Sequence, residues 1–304
     1  MSEPRHLAVI VPIYNETVNI QPFYARAKTA LEGIKGLAGW TLLFCNNGSE
    51  DDSLAKVLEL RKSDPRVKVI TLSRNFGYQG ALLAGLCSIE TDLYAMIDVD
   101  CEDPPELLSV FFDTVAGGAD IAYGIRSQRD ESAIILYARK LFYKLNRRVA
   151  DSDIVMWMAE FSMITRQVRD AIIEPHSSFP FLRAEMGYVG FERVGIPYFR
   201  AKRAHGASHY NFAGMTRFAV AGILSGTTFP LRLSLYVAAA IGVGYPVLVW
   251  LLRLSVEGAV QLANILTLYF LLITIPFIAL YLGRSYKNGV ARPVFVIDKG
   301  RTFL

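Results

Sequence analysis

The chain has 304 residues, 52% of them hydrophobic, with 32 basic and 28 acidic side chains and a formal net charge of +4; its mean hydropathy is +0.30. That length accommodates one α/β domain with a large core plus an appendage. The apolarity exceeds that of an ordinary soluble enzyme, and the small positive charge suits a basic face toward anionic lipid rather than a nucleic-acid partner.

The polar opening Met1 to His6 and the short apolar run 7–13 do not make a signal peptide. Residues 7–13 are β-branched and read as a buried strand that runs into the polar turn Tyr14-Asn15-Glu16. A helix over 19–32, a strand over 40–45 and the turn Asn46-Asn47-Gly48-Ser49 follow, with Asp51 and Asp52 placed to cap the next helix, 52–62. A strand over 67–72, a helix over 78–88 and a strand over 93–97 complete an alternation that implies parallel βαβ units in a doubly wound α/β sheet. Ligands bind at the carboxyl ends of such strands, so the polar groups after the first, second and fourth strands should converge. The three cysteines, Cys45, Cys87 and Cys101, form no C-x-x-C pair and read as reduced core residues, not as a disulfide frame or zinc site.

Asp103-Pro-Pro-Glu106 has the pattern of a helix start, with Asp103 as cap and Glu106 in capping-box position. A strand over 121–124 precedes a basic segment, 126–148, that includes Arg126 and Arg139. Further strands are expected at 161–164 and 188–194, and a polar stretch over 200–211 closes a catalytic unit spanning 1–212. Residues 213–230 suit an interfacial amphipathic helix. Within 231–284, two uncharged runs, 233–252 and 263–283, each match the roughly 20 residues that cross a bilayer core. Pro246 and Pro276 lie inside them, which membrane helices tolerate. Arg217 and Arg232 before the pair, and Arg284, Lys287 and Arg292 after it, place both ends of the chain in the cytosol. The tail, 285–304, contains Pro293-Val-Phe-Val-Ile297, which reads as a strand able to pair with another chain. Small residues in the first run, among them Ala238, Gly242 and Gly244, permit close helix contact between copies.

Asp98-Val-Asp100 ends the fourth strand. Carboxylates two apart in a strand face the same way, so Asp98 and Asp100 can jointly face a cation and its diphosphate. All-oxygen ligation suits Mg²⁺ or Mn²⁺. A leaving nucleoside diphosphate needs such a cation to neutralise developing charge.

Taken in order, Val11-Pro-Ile-Tyr-Asn-Glu16, Asn47-Gly-Ser49, Ser73-Arg-Asn-Phe-Gly77 and Asp98-Val-Asp-Cys-Glu-Asp-Pro-Pro-Glu106 resemble family 2 glycosyltransferases of the GT-A fold, a doubly wound mixed sheet. Gly206-Ala-Ser-His-Tyr210, the two spans and Ala291-Arg-Pro293 resemble the polyprenyl-phosphate glycosyltransferase branch, some of whose members are tetramers. The resemblance covers essentially the whole chain. It implies inverting transfer from a nucleotide-sugar donor to a polyprenyl phosphate at the cytosolic face of a bacterial inner membrane. Pro12, Tyr14 and Glu16 would line the nucleoside pocket, and Asp98 and Asp100 would hold diphosphate and metal. Arg126, Arg139 and the segment holding Arg203, Ser208, His209 and Tyr210 would meet donor and lipid phosphates.

This sequence departs from the family pattern in two places. Glu160 stands where the family has aspartate, and could orient the acceptor or act as a base. Asn47 stands where an aspartate accepts from the uracil ring N–H, and an amide could pair with either uracil or cytosine. The donor base is thus open between uridine and cytidine. Other readings are a processive polysaccharide synthase, for which two spans are few and no Q-x-x-R-W occurs, and a degenerate membrane scaffold, which the retained Asp98/Asp100 pair opposes. A dinucleotide-dependent oxidoreductase is excluded by the lack of G-x-G-x-x-G after the first strand.

Overall fold

A computed structural model describes residues 5–126, 158–174, 180–200 and 227–304. The strands are β1 (Arg5–Ile13), β2 (Leu37–Asn46), β3 (Val67–Thr71), β4 (Leu93–Met96), β5 (Ile121–Arg126), β6 (Met158–Thr165) and β7 (Arg193–Tyr198). They form one seven-stranded sheet in the order β3-β2-β1-β4-β6-β5-β7. Strands β1 to β4 are mutually parallel, β6 runs antiparallel to both β4 and β5, and β7 is parallel to β5. The sheet is therefore mixed, with the parallel βαβ units expected from the alternation in β1 to β4.

The helices of this unit are α1 (Thr17–Glu32), α2 (Ser53–Ser63), α3 (Tyr78–Ser88), α4 (Leu108–Ala116), α5 (Arg166–Ile173) and α6 (Leu182–Tyr188). Strand alternation sorts the core into two faces. Leu7, Val9 and Val11 of β1 and Leu42 and Phe44 of β2 pack with α1, α2 and α4. Ile10, Leu43 and Cys45 point the other way, onto α3, α5 and α6. Helix α3 lies close to the sheet because Gly85 carries no side chain there: a Cβ would stand 2.5 Å from Ile10 Cγ2 and 2.7 Å from Cys45 Sγ. Cys45 is fully buried, as its reading as a core residue expects, whereas Cys87 is exposed.

Several local expectations are corrected. Residues 182–188, at whose end a strand was expected to begin, are helical, and the strand starts at Arg193. Asp103 caps nothing: a 3-10 turn, Pro105–Leu107, leads into α4, and no side chain caps it. Asp52 sits at the N-cap of α2 without a side-chain bond, and Asp51 supplies the acceptor for Ser53 N–H (3.0 Å).

Two helices follow, α7 (Phe229–Leu251) and α8 (Val256–Val290), joined by a short turn and bonded to each other by the Tyr245 hydroxyl donating to the Ala259 carbonyl (3.0 Å). Their most apolar windows have mean hydropathies of 1.7 and 2.4 and are 0% and 6% buried, so neither is the core helix of a soluble fold. Both are long and apolar enough to cross a membrane. Helix α8, at about 1.5 Å per residue, is about 52 Å long and overreaches a bilayer core; Arg284 and Lys287 lie in its distal part. Pro246 and Pro276 lie within the two helices.

Beyond α8 the tail returns to the catalytic unit. Bridges join Leu72 to Ile297 and Val69 to Phe303, with Val69 N–H donating to Phe303 O (3.0 Å), Phe303 N–H to Val69 O (2.7 Å) and Ser73 N–H to Val296 O (2.9 Å). Phe295 and Ile297 pack onto the α3 side of the core. The apolar stretch read as a strand for another chain thus makes isolated bridges with the free edge of its own sheet.

Candidate active site

Three loops at the carboxyl edge of the parallel strands are knitted together. Asn15, left-handed at φ 57°, donates its N–H to Ser49 Oγ (3.1 Å) and accepts from Glu50 N–H at its side-chain oxygen (2.9 Å). Glu16 donates its N–H to Ser53 Oγ (2.8 Å), and its carboxylate accepts from the Asn19 amide (2.6 Å). Gly48, at φ +73°, lets the turn after β2 press on the loop after β3: a Cβ there would lie 2.7 Å from the Arg74 carbonyl carbon. Asn47 is buried; its amide donates to Asn75 Oδ1 (3.0 Å) and its oxygen accepts from Phe76 N–H (2.9 Å). Asn75 Oδ1 also accepts from Gly77 N–H (2.8 Å), so Asn47 holds the loop that leads into α3. Pro12 is buried in β1 opposite Cys45, whereas Tyr14 and Glu16 are partly exposed beyond the strand.

Strand β4 stops at Met96, so Asp98 and Asp100 stand in the turn beyond it and the alternation of a strand does not set their directions. Cys101 follows at φ 57°, and Asp100 accepts from the Glu102 N–H (3.1 Å). Asp98 accepts from the Tyr78 hydroxyl at the start of α3 (2.7 Å). Burial, then the neighbouring charges of Asp103 and Asp100, push the Asp98 carboxyl up to about 6. Burial, together with the bonded Asp98 carboxylate, raises the Tyr78 phenol well above its ordinary value. Asp98 and Asp100 offer hard oxygen donors in a locally negative setting. Among the described residues, no third histidine, cysteine or carboxylate completes a cluster that could hold a metal by itself. This donor set fits a Mg²⁺- or Mn²⁺-class ion whose remaining positions are filled by phosphate and water.

Beside the pair is a partly buried charge network. Asp103, 1% exposed, accepts from the Tyr198 hydroxyl (2.5 Å) and pairs with Arg126 Nη2 (3.3 Å) and Arg200 Nε (3.3 Å). Arg126 Nε also donates to the Tyr198 oxygen (3.2 Å), and Arg200 pairs with Glu102 (2.6 Å). Arg126 at the end of β5 is thereby brought to the acidic turn, as its place after a buried strand suggests.

Glu160 of β6 completes the group. The β4–β6 ladder ends with Met96 paired to Ser162, and Glu160 lies two residues before Ser162 on β6. The buried Glu160 carboxylate accepts from Gln79 Nε2 (3.3 Å) and forms an ion pair with Arg183 of α6. Gln79 Oε1 in turn accepts from Leu182 N–H (3.1 Å), tying α3 to α6. Arg139, Arg203, Ser208, His209 and Tyr210, together with most of the expected interfacial helix, lie outside the described residues.

Sequence reasoning passed over Tyr78, Gln79, Arg183, Tyr198 and Arg200, and read Asp103 only as a cap. Tyr78 and Gln79 were findable, because they follow the loop at the carboxyl end of β3, where the topology sends ligands. Arg183 left no signal once its helix went unrecognised.

A mixed sheet with an acidic turn, partly buried arginines and an ion-paired glutamate at one edge has the fold of a GT-A glycosyltransferase. In fold it overlays glucosyl-3-phosphoglycerate synthase from Mycobacterium tuberculosis, solved with Mn²⁺, uridine diphosphate and glucosyl-3-phosphoglycerate, with a TM-score of 0.52 over 73% of this chain and 79% of that one, at 18% identity. Residues 8–173 match glycosyl transferase family 2, and the chain belongs to that family. It is 31% identical to the uncharacterized glycosyltransferase YkcC of Bacillus subtilis, over 98% of this chain and 95% of that one. It is 30% identical to the SfII prophage-derived bactoprenol glucosyl transferase of Shigella flexneri, over 96% and 97% respectively.

Proposed function

We propose that this glycosyltransferase moves a sugar from a nucleoside-diphosphate donor to a polyprenyl phosphate at the cytosolic face of a bacterial inner membrane, with inversion at the anomeric carbon. The observation that carries the reading is the full-length likeness to a bactoprenol glucosyl transferase, which includes the two exposed apolar helices as well as the catalytic unit. An anchored site suits an acceptor that cannot leave the bilayer.

Asp98 and Asp100 would hold a divalent cation of the kind present in the fold neighbour, and when bound it would neutralise charge on the leaving diphosphate. Asp103 and Tyr198 fix Arg126 beside that diphosphate, adding positive charge where negative charge develops. Tyr14 and Glu16 border the nucleoside, and Pro12 supports them from within β1. Arg139, Arg203, Ser208, His209 and Tyr210 serve the lipid phosphate, as the family resemblance suggests. Uridine is the favoured base, since the Asn47 amide is engaged by the loop after β3. A polyprenyl monophosphate, with a second pKa of about 6, is already an oxyanion near neutrality and attacks without a strong base.

The active form is a homo-oligomer. The small-residue face of α7 remains open, with nothing within 4 Å of a Cβ built at Gly242 or Gly244. Incubating the membrane-embedded protein with undecaprenyl phosphate and a set of radiolabelled nucleotide sugars should give one butanol-extractable glycolipid. Label passing only to water-soluble sugars would refute the reading.

A further inference from the structure

Glu160 and Arg183 carry a division of labour that bears on how the acceptor is met, and it rests on the polyprenyl-phosphate reading above. In that reaction a phosphate oxygen lone pair forms the bond to the anomeric carbon. The bond from that carbon to the donor's diphosphate oxygen breaks, and its electron pair leaves with the nucleoside diphosphate. A phosphate dianion has no proton to give up in this step. A bare carboxylate at position 160 would have no proton to remove, and its negative charge would repel the incoming phosphate.

The structure does not leave that carboxylate bare. One oxygen of Glu160 takes the Gln79 amide at 3.3 Å, and the other is ion-paired with Arg183. The two partners differ in exposure: the Glu160 side chain is 9% exposed and that of Arg183 is 30% exposed, so the cation is the accessible half of the pair. Arg183 sits on α6, whose first backbone N–H is held by Gln79 (3.1 Å). Two residues on, Glu185 lies within electrostatic reach of Arg284 on the membrane helix α8. Helix α6 thus holds Arg183 against the Glu160 carboxylate and carries Glu185 within reach of α8, a helix long and apolar enough to cross a membrane. Arg126 and Arg200, by contrast, are bound to Asp103 and Glu102 on the donor side.

We propose that Glu160 is the anchor of Arg183 rather than a proton acceptor, and that the guanidinium it holds meets the phosphate of the lipid acceptor. Glu160 is then a positioning residue and Arg183 the group that touches substrate. Gln79 fixes both by bonding Glu160 and the start of α6.

The test uses the full chain in lipid nanodiscs, with undecaprenyl phosphate and whichever nucleotide sugar supports wild-type turnover. Glu160→Gln keeps an oxygen for the guanidinium, so it should lose less than about tenfold in kcat and retain the wild-type pH profile. Arg183→Gln should raise the acceptor KM by about tenfold or more while leaving the donor KM unchanged, and Arg183→Lys should fall between. Glu160→Ala should match Arg183→Gln, and the double variant should be no worse than either, because the two residues act as one unit. The unchanged donor KM also reports that the variants are folded. The proposal is overturned if Glu160→Gln loses about 10³-fold in kcat together with the acid limb of the pH profile, as loss of a general base would produce. It also fails if Arg183→Gln leaves the acceptor KM where it was. A wild-type enzyme that makes no glycolipid overturns the acceptor reading itself, a result distinct from both.

Discussion

Asp98 and Asp100 were legible as a D-x-D pair, but their setting was not. Their carboxylates are placed by a turn, by the Tyr78 hydroxyl and by the Glu102 N–H, not by strand alternation. Replacing Asp100 with asparagine should lower turnover by about 10² or more while leaving the melting temperature within a few degrees, since the acid stands beyond the strand and outside the apolar core. Mn²⁺ binding followed by electron paramagnetic resonance should weaken in parallel; unchanged binding would remove Asp100 from the metal site. Asn47 is the clearest case of a residue whose type was informative and whose role was not. A carboxylate at 47 would face Asn75 Oδ1, and turning Asn75 over would set its amide against Gly77 N–H. Asn47→Asp should therefore cost about 1 kcal/mol of stability and weaken UDP and CDP binding alike. A change in their affinity ratio, measured by calorimetry, would show instead that Asn47 reads the base. Asp103 illustrates an ambiguity internal to sequence: Asp-x-x-Glu before an apolar run describes a helix cap and a buried charge partner equally well.

At the scale of elements, the continuous apolar strands and the loops after them could be read because a strand covered on both faces has few other sequences. Helix α6 escaped because it is short, holds Gly187 within it and has Gly190 just beyond it, and because its position is set by Gln79 and the Glu160–Arg183 pair, contacts distant in sequence. The cis pairing of the tail was hidden for the same reason: Val69 and Phe303 are partners far apart in sequence. Truncation after Ala291 should leave the β3 edge open, and hydrogen exchange at the Val69 and Ser73 amides should accelerate markedly, since both donate to tail carbonyls. Unchanged protection there would mean that the tail does not hold this edge in solution. The end of α2 carries a pH-dependent tie. Arg66 and the Tyr24 hydroxyl bond the buried Asp64 (2.7 and 2.9 Å), and chiefly the Arg66 bond holds its carboxyl down at about 2. The folded pKa is depressed, so the stabilisation is fully present above pH ~4 and is lost as pH falls toward ~2. Its size is about 2 kcal/mol, and Asp64→Asn should remove that part of the acid dependence in chemical denaturation at pH 3 against pH 6.

For the molecule as a whole, the two apolar runs were the plainest signal in the sequence, and the near absence of buried residues in them on α7 and α8 fits a membrane environment. The catalytic unit places its acidic turn, Arg126 and Glu160 at one sheet edge, and Glu185 of α6 lies within electrostatic reach of Arg284 on α8. What the sequence could not reveal was this proximity, because it depends on where α6 lies relative to the sheet and α8. This arrangement suits transfer to a membrane-held phosphate. The most direct measurement is transfer from the preferred nucleotide sugar in proteoliposomes, with undecaprenyl phosphate and a water-soluble sugar offered together. A sugar-phosphate-linked lipid should be the dominant product, lost on chelation and in Asp100→Asn. Label found in the soluble sugar, with none in lipid, would contradict it.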